Sequence, residues 1–164
     1  MNKSHFLAYA NHFKRLYAQA FQSVSQRYGL SQLEIDVLLF LHNNPGCNTA
    51  RDIVELRGVS KSNVSTAVES LRKRGYLSTD RDLDNRRLQR LSLSDRIQEL
   101  LAELADCQDR CLQITMGGFS PEERAAWESF LERADRNVLS ALENTPSTQA
   151  SVPPIRALER EDDK

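Results

Sequence analysis

Apolar residues recur along most of the chain at steps of three and four, the spacing that puts them on one face of an α-helix. The first such stretch, from Ser4 to Tyr28, carries Phe6, Tyr9 with Ala10, Phe13, Tyr17, Ala20 and Val24, and Gly29 is placed to end it in a left-handed conformation. A second helix opens on Ser31-Gln-Leu-Glu34, a capping box in which side chain and backbone satisfy each other's orphan N–H groups. It carries Leu33, Val37, Leu38 and Leu41 and stops at the turn signal Asn43-Asn-Pro-Gly46. A short third helix runs from Ala50 to Arg57, with Thr49 as N-cap and Asp52 in its first turn. Gly58-Val-Ser60 follows: Gly58 takes positive φ, Val59 plugs the core and Ser60 caps a fourth helix from Lys61 to Arg74, which ends at Gly75. Tyr76 to Asp80 and Leu88 to Leu93 alternate as two strands around the charged tip Arg81-Asp-Leu-Asp-Asn-Arg-Arg87. After Ser94 a long fifth helix reaches Met116 on a stripe of Ile97, Leu100, Leu104, Cys107, Cys111 and Ile114, and Gly117-Gly118 breaks it. Ser120-Pro-Glu-Glu123 starts a sixth helix, striped by Trp127, Leu131, Ala134, Val138 and Ala141. The pattern predicts a mainly α protein with one small β-hairpin.

The third and fourth helices, joined by a tight glycine turn, make a helix-turn-helix. At about 100° per residue, Ala67, Val68 and Leu71 fall within about 60° of Val64 and face the core. The opposite side holds Ser62, Thr66, Glu69 and Lys73, flanked by Ser65. These side chains are mostly small and polar, so the backbone can approach a base edge closely. Recognition helices read bases in the major groove with their N-terminal residues, which makes Ser62, Asn63, Ser65 and Thr66 the candidates. Asn63 lies toward the flank, where helping to cap the helix is its competing role. Lys61, Arg72 and Lys73 suit phosphates, contacts that position a protein without reading sequence. In the hairpin tip, Arg86 and Arg87 are candidates for a narrow minor groove, with solvation or pairing to Asp82 and Asp84 as the alternative.

Charge distribution strengthens this picture although the net charge is only −1. From Arg57 to Arg90 nine basic residues face four acidic ones, a net +5, while the remaining 13 basic and 19 acidic residues sum to −6. A basic middle inside an acidic frame is the footprint of a local phosphate-binding surface.

The stretch Gly58-Val-Ser-Lys-Ser-Asn-Val-Ser-Thr-Ala-Val-Glu-Ser-Leu-Arg-Lys-Arg-Gly-Tyr-Leu77 resembles the helix-turn-helix of the MarR family of bacterial regulators. The hairpin resembles that family's wing, whose Asp-x-Arg signature lies nine residues before the Thr or Ser that opens the long fifth helix. Counting back from Ser94 puts Asn85 in the Asp position and Arg87 in the Arg position, with Arg90 as a downstream basic residue. Asn85 departs from the pattern: it can brace the wing by hydrogen bonding but supplies no charge, and Asp84 beside it is available as a substitute. The resemblance covers roughly residues 5 to 143. It implies a winged helix-turn-helix with a helical dimerisation region. Residues 1–30 and 95–143 would form the dimer, 31–94 the DNA-binding lobe, and 144–164 a disordered tail. It further implies a homodimer on a pseudo-palindromic operator in double-stranded DNA, a repressor role, and release by a small aromatic or phenolic effector. By position, Tyr9, His12, Phe13 and Tyr17 are candidates for lining the effector pocket, with dimer core as their competing role. Independently of family, the first, fifth and sixth helices carry more apolar surface than a small winged domain can cover.

Other chemistries find no support. The longest apolar run, Val37 to Leu41, is far too short to span a bilayer, and the N-terminus lacks the apolar core of a secretory signal, so a cytoplasmic location is expected. No phosphate-cradling glycine loop, nucleophile elbow or paired carboxylates mark an enzyme, and no cofactor is implied. Cys107 and Cys111 lie one turn apart inside an apolar stripe and read as core, while Cys47 is the thiol expected to be exposed. His5, His12 and His42 are too scattered for a metal site. The rival readings are a winged-helix protein–protein interaction module and a thiol- or metal-sensing regulator on the same frame.

Overall fold

The computed structural model describes residues 3–81 and 89–143. The chain divides into two compact units between Thr115 and Met116.

The first unit is built around one helix. After α1 (Lys3–Tyr28), α2 (Gln32–Asn43) buries Ile35, Val37, Leu38, Leu39, Phe40 and Leu41. The predicted one-sided stripe is thus too narrow: α2 is apolar nearly all round and is enclosed by neighbours, as a helix of that pattern must be. Those neighbours are α1, α4 (Lys61–Lys73), α5 (Gln98–Thr115) and β2 (Gln89–Leu93). The predicted capping box is present: Glu34 N–H donates to Ser31 Oγ at 3.2 Å and Ser31 N–H to Glu34 Oε2 at 2.7 Å. A second box starts α3 (Ala50–Arg57), where Thr49 N–H donates to Asp52 Oδ2 at 2.8 Å and Asp52 N–H to Thr49 Oγ1 at 3.1 Å.

Gly58 sits at φ +63°, a left-handed C-cap that turns the chain from α3 into α4 as the sequence predicts. After α4, Gly75 at φ +70° closes a Schellman motif: its N–H donates to Arg72 O at 2.9 Å, and Tyr76 N–H donates to Leu71 O at 3.0 Å. β1 (Leu77–Arg81) then pairs antiparallel with β2, placing Leu77 opposite Leu93 and Thr79 opposite Leu91. Leu77 and Leu91 are buried under the hairpin. The loop before α3 adds a rung to it: Leu91 N–H donates to Asn48 O at 2.7 Å, and Thr49 bridges Arg90. A 3-10 turn, Asp95–Ile97, capped by Ser94, leads into α5, whose Leu100, Leu101, Leu104, Cys107 and Cys111 are buried.

On α1 the innermost apolar residue is Phe21, fully buried and absent from the predicted stripe. The N-terminal part of that stripe is exposed in the single chain, Phe6 at 59%, as is Ile114 near the end of α5 at 64%. Cys107 and Cys111 are buried as expected, but Cys47 is half-buried against the core rather than exposed.

In the second unit, α6 (Pro121–Glu143) starts from the predicted capping box, with Ser120 N–H donating to Glu123 Oε2 at 2.7 Å and Glu123 N–H to Ser120 Oγ at 3.2 Å. Trp127 packs edge-on against Phe119 with ring centroids 6.1 Å apart. Phe130, Leu131, Val138 and Leu142 are exposed.

Leu104 has no exposed surface, so Leu104→Ala is expected to lower stability by about 2–5 kcal/mol. Thr49→Ala, which removes one cap, is expected to lose about 1 kcal/mol. Urea unfolding of both variants checks the ranking; equal losses would contradict the core assignment.

Candidate nucleic-acid interface

The polar side of α4 is open to solvent. Lys61, Ser62, Asn63, Ser65, Thr66, Arg72 and Lys73 are all exposed and Val64, Ala67 and Leu71 buried, as the helical angle predicts, while Val68 and Glu69 are half-buried between the two sides. Ser60 caps the helix by accepting from Asn63 N–H at 3.3 Å, and its hydroxyl lies 3.2 Å from that of Ser62. Thr66 donates its hydroxyl hydrogen back to Ser62 O at 3.0 Å, which holds its side chain in one orientation and leaves its acceptor lone pairs outward. Asn63 lies to the flank, on a shallow groove lined also by Ser31, Glu34, Thr66 and Ser70.

The cations at the far end of α4 are not independent charges. Glu69 accepts from Arg72 Nε and Nη2, both at 2.9 Å, and lies 3.7 Å from Lys73 Nζ. The hydrogen bond from Arg72 keeps the Glu69 carboxyl below its ordinary range. Arg90 donates through Nη1 to Asn48 Oδ1 at 2.8 Å, tying the hairpin's base to the loop before α3. Arg86 and Arg87, the predicted wing-tip contacts, lie outside the described residues, as do Asn85 and the tail from residue 144.

A separate cavity of about 450 Å³ opens beside α1, α2 and α5, lined by Phe13, Tyr17, Gln32, Asp36, Arg57 and Cys111 among others. Of the four aromatic and histidine candidates on α1, Phe13 and Tyr17 line it. Tyr9 and His12 are exposed nearer the N-terminus and do not. Tyr9, Phe13, Tyr17 and Phe21 instead form a ladder, with successive ring centroids 6.2, 6.1 and 4.5 Å apart, that carries the apolar face of α1 inward.

Two cavity residues escaped sequence reasoning. Asp36 accepts from Gln32 Nε2 at 3.1 Å and pairs with Arg57 Nη2 at 3.2 Å. The partners are far apart in sequence, and no local spacing announces them. Burial outweighs Arg57 and raises the Asp36 pKa. Tyr17 Oη is buried near both groups and makes no hydrogen bond of normal geometry. Burial first, then the Asp36 charge, pushes the Tyr17 phenol up to about 12. Asp36 and Arg57 also line a smaller cavity of about 330 Å³ with Leu33, Val37, Ile53 and Val59, so the pair borders both spaces.

The sequence profile of the MarR family matches residues 28–88, the stretch from the end of α1 through α4 into the hairpin. Over those residues the chain is similar to the MarR family. MarR proteins are winged-helix, DNA-binding transcriptional regulators. Solved structures show the same fold. A MarR protein from Peptoclostridium difficile is 21% identical with a TM-score of 0.71, the match covering 85% of this chain and 91% of that one. A putative MarR-family regulator from Listeria monocytogenes, complexed with a 26mer DNA, is 13% identical with a TM-score of 0.71 over 85% and 91%. Bordetella bronchiseptica BpsR, whose DNA binding is regulated by 6-hydroxynicotinic acid, is 24% identical with a TM-score of 0.62 over 82% and 94%. No curated protein matches by sequence. Among the described residues, no helix is long and apolar enough to cross a membrane, and no three His, Cys, Asp or Glu side chains are grouped to hold a metal.

Tyr17 keeps its proton longer in the native state than in the unfolded chain, where its pKa is 10.0, so its contribution to stability is complete below pH 10 and lost as pH rises toward 12. Tyr17→Phe is therefore expected to flatten the fall of stability across that range. At neutral pH it is expected to be neutral or stabilising by up to about 1 kcal/mol, because an unpaired buried hydroxyl is removed. Thermal melts at graded pH test both statements; a strong loss at neutral pH would mean that the hydroxyl is paired.

Proposed function

We propose that this chain is a MarR-family, ligand-responsive repressor that binds a pseudo-palindromic operator as a homodimer in the cytoplasm. The observation that carries the reading is α4: a capped helix, seated on the buried α2, with small polar side chains facing solvent. In this reading Ser62, Asn63, Ser65 and Thr66 approach base edges, and Lys61, Arg72 and Lys73 hold phosphates. Arg86 and Arg87 reach the adjacent minor groove. Exposed Phe6, Leu7, Tyr9, Leu112 and Ile114 in the first unit, and Phe130, Leu131, Val138 and Leu142 in the second, support burial against a second copy.

The cavity supports the effector. Its apolar rings and its Lys14, Arg57 and Tyr17 groups suit a small aromatic ligand bearing an acidic or phenolic substituent. The aromatic acid that regulates BpsR is of that class. Cys111 also lines the cavity, but burial raises its pKa and keeps the thiol protonated, the opposite of what a thiol sensor needs. The interaction-module alternative gives no role to the surface cations Lys61, Arg72 and Lys73.

The test is selection of duplexes from a random pool by the purified chain, followed by fluorescence anisotropy on an enriched duplex. Arg87→Ala is expected to weaken binding by about 1–3 kcal/mol without dissociating the dimer. Unchanged binding would reject the wing assignment, and a monomer in sedimentation would reject the dimer. Glu69→Gln frees Arg72 and Lys73 and removes a charge facing the phosphates. It is expected to tighten duplex binding at low salt and to steepen the salt dependence by up to about one counterion. Unaltered salt dependence would mean that this end of α4 does not meet the backbone.

A further inference from the structure

Glu34 has two roles, and the capping motif discloses only one. The residue is 7% exposed, and while Oε2 closes the capping box of α2, Oε1 accepts from Ser70 Oγ at 2.5 Å. Ser70 belongs to the third turn of α4, one turn beyond Thr66. The hydrogen bonds to Ser70 and Ser31 keep the carboxyl ionised below its usual range despite burial. One turn further on, Arg74 reaches the other way. Its Nη1 donates to Gly29 O at 3.0 Å, its Nη2 donates to Tyr28 O, and its guanidinium lies 4.7 Å from the Tyr76 ring centroid. The last carbonyls of α1 have no helical partners, so a cation there is doubly favoured, by hydrogen bonding and by the helix dipole.

The recognition helix is therefore fastened at its C-terminal half to the corner where α1 ends and α2 begins. Apolar packing of Val64, Ala67 and Leu71 tolerates small rotations and slides, whereas charge-assisted hydrogen bonds fix direction. We propose that Glu34–Ser70 and Arg74–Tyr28/Gly29 form a polar clamp that sets the angle of α4 relative to α1, and so governs discrimination between DNA sequences rather than affinity for DNA as such. This inference rests on the reading of α4 as the base-reading helix of a dimer. In that dimer α1 belongs to the interface, so the clamp transmits the position of the interface to the reading head. Glu34 and Ser70 are positioning residues: they act through Thr66 and its neighbours.

Three variants test it. Ser70→Ala removes the clamp's first bond and leaves the α2 capping box intact. Ser70→Thr restores the hydroxyl. Arg74→Lys keeps the charge but cannot serve two carbonyls and stack on a ring at once. Each is compared with wild type on a duplex enriched by the wild-type protein and on a scrambled duplex of equal composition, at one salt concentration. For Ser70→Ala and Arg74→Lys the ratio of the two affinities is expected to fall about five- to tenfold, the size of one or two lost hydrogen bonds, while scrambled-duplex affinity stays within about twofold. Ser70→Thr is expected to recover the wild-type ratio. Hydrogen exchange of the α4 amides, measured without DNA, is expected to quicken in the first and third variants. An unchanged ratio, or an equal loss on both duplexes, overturns the clamp while leaving the DNA-binding reading intact. A wild-type protein that enriches no sequence overturns both.

Discussion

The first unit depends on a single constraint: α2 is buried on nearly every side. A short helix carrying Ile35, Val37, Leu38, Leu39, Phe40 and Leu41 has no face to offer water, so α1, α4, α5 and the β-hairpin must all close on it. Helix α4 is thus a wall of the core. Its inner face is specified by volume and its outer face is left free for chemistry.

Burying α2 also forces a decision about each polar residue it carries. Glu34 and Asp36 resolve it differently. Glu34 is surrounded by donors from Ser31 and Ser70, and hydrogen bonding overrides burial, so it remains a settled anion. Asp36 has Arg57 and Gln32, yet burial dominates and its carboxyl is held at raised pKa beside the buried Tyr17 hydroxyl. A satisfied polar group rigidifies, whereas an incompletely satisfied one bordering a cavity is where a ligand gains most by binding. The two carboxylates, two residues apart on either side of Ile35, thus meet burial in opposite ways on the same helix.

Much of this was legible in the sequence because it is local. The caps at Ser31, Thr49, Ser60 and Ser120, the glycine turns at Gly58 and Gly75, and the core side of α4 all follow from spacings within a few residues. The sequence pattern falls short where partners are distant. Nothing near Asp36 announces Arg57, nothing near Ser70 announces Glu34, and the capping box gives Glu34 a sufficient local explanation that conceals its second bond. Phe21 escaped for a related reason. The ladder Tyr9, Phe13, Tyr17, Phe21 steps by four, and the stripe read through Ala20 to Val24, itself buried, passed over Phe21. The cavity, too, is a property of how three helices meet, so Tyr9 and His12 share the α1 sequence motif with Phe13 and Tyr17 but not their surroundings.

The charge pattern can now be resolved at atomic detail. A surplus of basic residues in the middle of the chain points to a local phosphate-binding surface, and within it the structure gives the cations unlike duties. Arg74 is engaged with backbone carbonyls and a ring, Arg57 with Asp36, and Arg90 with Asn48. Arg72 and Lys73 share Glu69 at the surface, where pairing is weak and readily exchanged. That pair is free to exchange partners in high dielectric, whereas releasing Arg74 or Arg57 would break contacts that join separate helices. Net charge along the sequence therefore overstates the number of cations available for binding. The cations built into the scaffold fix where the available ones stand.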